Sequence, residues 1–389
     1  MKNLMRLAVL AFMAVALSSV NAMAQNTSVF VAGLKAPSKL ITTPRGNLIV
    51  AEAGTGAMDG RISIIDQSGT RRTLVEGLPS AINLLGGEAS PSGPSGLALR
   101  GRTLYITIGS GDAVLPGPVP GSETPNPSPS SSLFTSVLAL RFDAQVEDSG
   151  GNFTITQSDY AALNTGAKIK VTNANGQKLV LDVVTKFRSF REEARPDFPN
   201  NVRASNPFGV AINQDKLYVV DAGHNLLREV EITTGDSRVM AIFAPKPNPL
   251  PFGPPFVDAV PDSVKVFGNK QLLVTFLTGF PFAPGQAEVR KINRVNDSQR
   301  TFIAGLSSAI DVVPFTAQSG QDQFYTLEFS TNMLMNSPGR IQFFSSADAA
   351  PVVVTGGLIS PTSLARDEMT GTLYVTEMFT GRIIKVQVQ

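Results

Sequence analysis

The chain has 389 residues, 42% hydrophobic and 16% charged, with 33 Lys and Arg against 31 Asp and Glu, no Cys, no Trp and one His. This composition excludes a fibre or a disordered tail, and the near-balance of charge leaves no basic face for a phosphate backbone, so nucleic acid drops out as a partner. Without Cys there are no disulfides, and zinc sites built from Cys or clustered His are excluded.

Lys2 and Arg6 precede the apolar run 7–17, and Ala22-Met23-Ala24 supplies the small-x-small pattern that signal peptidase reads. The run is shorter than the roughly 20 residues a bilayer span needs. Residues 1–24 are therefore predicted to be a cleaved signal peptide, with no stable membrane span. The rest of the chain, 25–389, is predicted to be one domain, periplasmic or extracellular, with its charges balanced because the leader removes two basic residues and no acid.

Beyond the leader, Ser28-Val29-Phe30-Val31-Ala32-Gly33-Leu34 is strand-like and has no partner nearby. One short pattern then recurs six times, at a period of about 50 residues apart from one doubled interval. Its copies are Leu48-Ile49-Val50-Ala51-Glu52, Leu104-Tyr105-Ile106-Thr107-Ile108, Leu217-Tyr218-Val219-Val220-Asp221, Leu272-Leu273-Val274-Thr275-Phe276, Phe324-Tyr325-Thr326-Leu327-Glu328 and Leu373-Tyr374-Val375-Thr376-Glu377. Before each copy lies an apolar strand, usually entered through Pro, as at Pro37, Pro94, Pro207, Pro261 and Pro361. After most copies come a turn and one or two further strands. Four strands per repeat at this period define an all-β fold, a six-bladed β-propeller. The sixth repeat stops at its third strand, so the Ser28 strand is predicted to complete it and close the ring, leaving no open sheet edge.

The doubled interval holds an insert at about 143–200, between blades 2 and 3. Asn175-Gly176, flanked by Ala167-Lys168-Ile169-Lys170-Val171-Thr172 and Lys178-Leu179-Val180-Leu181-Asp182-Val183, predicts a β-hairpin. Phe190-Arg191-Glu192-Glu193-Ala194-Arg195 reads as a short helix, and the Pro/Ser-rich loop 117–132 as a mobile segment. Insert and loop are expected to share a functional face, with Phe187, Phe190, Arg191 and Arg195 as a candidate interface, because aromatic and guanidinium groups anchor many interfaces.

No catalytic or cofactor-binding motif is recognisable, and no cofactor is expected. His224, in the turn Ala222-Gly223-His224-Asn225, is predicted to be an exposed loop residue. Glu52, Asp221, Glu328 and Glu377 end the second strand of four repeats, and Arg61, Arg228, Arg340 and Arg382 begin the third strand across the turn. These are expected to be structural cross-strand pairs rather than metal ligands. An axial metal would need acids on the inner strands, where the first positions are Ser38, Ser95, Phe208, Asp262, Ile310 and Thr362, and the second Lys39, Gly96, Gly209, Ser263, Asp311 and Ser363. Only Asp262 and Asp311 are acidic, which makes them weak candidates for a metal site.

The Leu-Tyr-Val-x-Asp/Glu strands and the Asp221, Asn225, Arg228 spacing resemble NHL-type repeats. Val50-Ala51-Glu52-Ala53-Gly54-Thr55-Gly56, Glu76-Gly77-Leu78-Pro79-Ser80, Ser205-Asn206-Pro207-Phe208-Gly209-Val210, Val220-Asp221-Ala222-Gly223 and Thr278-Gly279-Phe280-Pro281-Phe282-Ala283-Pro284-Gly285 resemble, in order, the ScyD/ScyE family of exported propellers, named after a scytonemin pigment gene cluster. The resemblance implies an exported six-bladed propeller and no particular reaction. The expected function is a non-enzymatic binding or scaffold protein of the cell envelope or exterior, with a protein or small-molecule partner at one mouth of the ring. The alternative is a gluconolactonase-like hydrolase or lactonase with an axial divalent metal.

Overall fold

The computed structural model describes residues 26–86 and 88–388; the predicted leader lies outside them. Among these residues, six antiparallel sheets stand around a common axis as a six-bladed β-propeller. Their inner strands are Pro37–Thr42, Pro94–Arg100, Pro207–Asn213, Pro261–Phe267, Ala309–Thr316 and Pro361–Arg366. Each touches the next in that order, and the last touches the first. Asn26–Val31 pairs antiparallel with Arg382–Gln387 and supplies the outer strand of blade 6, as the sequence predicts.

The recurring motif forms the second strand of every blade because both faces of that strand are buried. In Lys216–Asp221, Leu217 and Val219 pack toward blade 2, while Tyr218 and Val220 pack toward blade 4. A strand sends alternate side chains to opposite faces, so a position sandwiched between two blades selects an unbroken apolar run. Where inner strands converge, space runs out. A Cβ on Gly209 would stand 2.6 Å from the Asp262 carbonyl, and one on Gly96 would strike that of Phe208.

The insert departs in detail from its sequence reading. The hairpin of Ile169–Thr172 and Lys178–Lys186 is present, but its second strand is also the fourth strand of blade 2, so the extra chain lies inside that blade. Phe153–Thr154 joins blade 1 as a parallel fifth strand, and helix Gln157–Asn164 buries Tyr160 and Leu163 in the core shared by blades 1 and 2. The stretch read as a short helix is instead a strand, Phe190–Glu192, paired with Val202–Ala204. Its backbone finds partners across that hairpin, which outweighs the helix propensity of Glu192-Glu193-Ala194.

We call top the face where inner strands begin and second strands end. Loop 109–135 and the hairpin 190–204 lie there, joined by bonds from the Glu123 amide to Asn201 Oδ1 at 2.8 Å and from the Ala204 amide to Glu123 Oε2 at 2.7 Å. Residues 143–177 connect a third strand to a fourth and therefore hang on the opposite side. The expected single face is split, and loop 117–132 is pinned by its neighbours.

Candidate functional site

The top mouth of the central channel is a cavity of about 290 Å³. It is lined by the first inner-strand positions of all six blades and by loop residues including Leu277, Met333 and Met378. Those six positions divide into two groups. In blades 6, 1 and 2 they are hydroxyls that bond the carbonyl of the proline opening the next inner strand: Thr362 to Pro37 at 3.0 Å, Ser38 to Pro94 at 2.8 Å and Ser95 to Pro207 at 3.1 Å. In blades 3, 4 and 5 they are Phe208, Asp262 and Ile310, which make no such stitch.

Immediately below, Lys39 reaches across the axis from blade 1. Its Nζ donates to Asp262 Oδ1 at 3.1 Å, to the Ile310 carbonyl at 3.3 Å and to the Thr362 carbonyl at 2.9 Å, and it lies 4.9 Å from the centre of the Phe208 ring. Lys39 and Asp262 are each 5% exposed. Burial outweighs the pull of Lys39 and, with a further push from Asp311, raises the Asp262 carboxyl to about 6. Asp311 lies one layer deeper, with Lys265 Nζ at 3.2 Å and hydrogen bonds from Ser363 Oγ and the Leu364 amide, each at 3.0 Å. Burial alone would raise the Asp311 carboxyl, but Lys265, Lys39 and the Leu364 amide hold it below its usual range.

The two acids considered for a metal thus stand close to the axis, but the cation beside each is a lysine. The residues do not fit a divalent metal: an ammonium already takes the Asp262 oxygen and both carbonyls, the oxygen ligands such an ion would use. Sequence reasoning missed Lys39, whose signal is a lone long cation at an inner-strand position filled elsewhere by Gly, Ser or Asp.

The four repeated acids lie on the top side, away from the axis. Glu52 lies opposite Arg61 at 2.6 Å, Glu377 opposite Arg382 at 2.6 Å, and Glu328 opposite Arg340 in direct contact. Asp221 differs: it lies opposite Leu226, and its oxygen is 3.5 Å from Arg228, which also packs 5.0 Å from the Phe187 ring. Each acid also accepts a backbone amide from the segment entering its own blade: Lys35, Asn206, Ser307 and Ile359 respectively for Glu52, Asp221, Glu328 and Glu377.

His224 is buried, not exposed as predicted, because its Nδ1 lies 3.2 Å from Asp221 and its Nε2 3.0 Å from the Arg203 carbonyl. Ser205 Oγ donates to the same Asp221 carboxylate at 2.8 Å. The His nitrogen that a catalytic triad would aim at a nucleophile is therefore spent on a carbonyl. Of the candidate interface, Phe187 is buried, Phe190 is half-buried, and the exposed Arg191 and half-buried Arg195 are paired with Glu193 and Asp197.

No family model matches the sequence, and no curated protein matches it. The fold is similar to the soluble aldose sugar dehydrogenase of Escherichia coli in its apo form, with TM-score 0.51 and 10% identity over 94% of this chain and all of that one. The virginiamycin B lyase of Staphylococcus aureus covers the same shares with TM-score 0.44 and 10% identity. At such identities the shared property is the propeller fold alone. Among the described residues no helix is long and apolar enough to cross a membrane.

Proposed function

We propose that this protein is an exported, non-enzymatic binding propeller that takes a small molecule in the cavity at the top mouth of its channel. The observation that carries this reading is a concave, largely apolar chamber at the mouth where six inner strands converge, with the Lys39–Asp262 pair spanning the axis beneath it. Mostly apolar chambers with a few polar groups, here Asp262 with Asn83 and Asn206 in the same lining, are the usual form of small-molecule sites. Export rests on the leader pattern of residues 1–24 and on the resemblance to the ScyD/ScyE family. The repeated acid and Arg pairs belong to the scaffold in this reading, tying four of the six blades to their incoming segments. The lactonase alternative needs an axial divalent metal, which the Lys39 ammonium displaces.

A neutral fluorescent probe, N-phenyl-1-naphthylamine, tests the proposal. It is expected to bind saturably at one site, and Leu277→Trp, which fills the mouth, is expected to abolish binding while the protein stays folded. Absence of saturable binding, or a stoichiometric divalent metal in the purified protein together with lactone hydrolysis, would overturn it.

A further inference from the structure

Among the described residues Asp262 is the only charged one lining the cavity. Its Oδ1 is taken by Lys39, whereas Oδ2 has no hydrogen-bond partner among the described residues. That oxygen keeps some accessibility in the cavity, so water can satisfy it there, and a ligand that displaces this water must bring a donor of its own, because a bare carboxylate oxygen in an apolar chamber forfeits hydration with nothing in return. The other five inner-ring positions show what satisfied or apolar residues look like here: three hydroxyls are spent on proline carbonyls, and Phe208 and Ile310 have nothing to satisfy. Asp262 alone is half used.

The electrostatics of the floor restrict what supplies the missing donor. Lys39 and Lys265 offset Asp262 and Asp311, so the buried cluster is neutral overall. A cationic ligand would add an uncompensated charge to an apolar chamber, and an anionic one would face the bare carboxylate oxygen. Phe208, Ile310, Leu277, Met333 and Met378 line the same chamber and favour an apolar body.

Resting on the binding role proposed above, we infer that the cavity selects a neutral, apolar molecule carrying an O–H or N–H group, which donates to Asp262 Oδ2. The donor sets orientation, the walls supply affinity, and Lys39 holds the carboxylate in place from below. Asp262 would be left as a negative, accepting group at pH 8, since burial raises its carboxyl only to about 6.

The test compares three probes at pH 8 on the full protein: N-phenyl-1-naphthylamine, its N-methyl derivative, which lacks the N–H, and the anionic 8-anilino-1-naphthalenesulfonate. The unsubstituted probe is expected to bind about tenfold more tightly than the N-methyl one, the value of one hydrogen bond to a charged acceptor, and the sulfonate more weakly still. Asp262→Asn should shrink the difference between the two neutral probes. Equal affinity for both neutral probes, each still blocked by Leu277→Trp, would overturn this ligand class and leave the binding role standing. Tighter binding of the sulfonate would also overturn it, and failure of all three to bind would remove the binding role and this inference together. The probe comparison on the unaltered protein decides the matter even if Asp262→Asn fails to fold.

Discussion

The inner ring is built in two ways. In blades 6, 1 and 2 a Ser or Thr hydroxyl hands each inner strand to the next, whereas in blades 3, 4 and 5 Phe208, Asp262 and Ile310 leave that seam unstitched. All six positions line the cavity, but only those of blades 6, 1 and 2 also tie the seam from there; between blades 5 and 6 the tie comes one residue deeper, where Asp311 accepts from Ser363 Oγ and the Leu364 amide. Lys39 joins the halves: it is anchored on blade 1 and satisfied by blades 4, 5 and 6. A pseudo-symmetric ring can therefore acquire a site by relaxing closure in a few repeats, provided another contact replaces it.

The largest effect should come from opening the stitched half. Deleting residues 26–35 removes the outer strand of blade 6 and the buried Val31 and Leu34. Lost hydrogen bonds at about 1 kcal/mol each and two apolar side chains at about 1.5–3 kcal/mol each approach the whole stability of an ordinary domain. The expected outcome is loss of a cooperative thermal transition. A truncated protein that melts like the intact one would mean that blade 6 holds without its closing strand.

Cutting the link between the halves comes next. Lys39→Met leaves Asp262 buried without its cation, which costs about 3–5 kcal/mol. Adding Asp262→Leu should recover most of that loss, because the uncompensated charge goes with it. Urea unfolding of both variants checks this, and a double variant no more stable than the single one would show that the lysine acts through something other than the pair.

Within the unstitched half, Asp221 supports the entry of blade 3. Burial alone would raise its carboxyl, but the hydrogen bond and charge of His224, with the Asn206 amide, lower it from 3.8 to about 2. Because the folded value lies below the unfolded one, the contribution is present above about pH 4 and fades as pH falls toward 2. Asp221→Asn should therefore cost about 2 kcal/mol at pH 7 and progressively less from pH 4 to pH 2, as followed by denaturant melts across that range.

How much of this was legible in the sequence depended on range. The second strands declared themselves because burial on both faces forces an apolar run, and the Ser28 strand because an open ring lacked one. Lys178–Lys186 was harder: Asn175-Gly176 announces a hairpin, but nothing local says that its second strand is also the fourth strand of blade 2, with Ile169–Thr172 added outside it as a fifth. Asp262 and Asp311 drew attention as acids on inner strands, and the structure places them beside the axis. Their lysine partners escaped notice because Lys39 meets Asp262 across 223 positions, and only the closed ring brings them together. His224 was misjudged for a related reason, since a turn in sequence is covered here by the neighbouring hairpin strand Val202–Ala204.

The smallest effect is the most direct test of whether the halves differ in side chains alone. Ile310 holds the position that Thr362 holds in the next blade, and the carbonyl it would address in a stitched blade is that of Pro361. Ile310→Thr gives up roughly 1 kcal/mol of apolar burial and gains a hydroxyl able to make the missing stitch, worth about 1 kcal/mol. If the backbones of the two halves are equivalent, stability should change by less than about 1 kcal/mol by the same reckoning. Ser95→Ala, the converse change, removes a stitch while Thr107 Oγ1 keeps its bonds to the Phe208 carbonyl and the Gly96 amide, so it should cost about 1 kcal/mol. Were Ile310→Thr to cost about 2–3 kcal/mol, the value of a buried hydroxyl without a partner, the seam beside blade 5 would be too wide at this position for a hydroxyl to bridge, although Asp311 bridges it one residue deeper. The cavity would then owe its shape to how the blades are spaced as well as to the residues that line it.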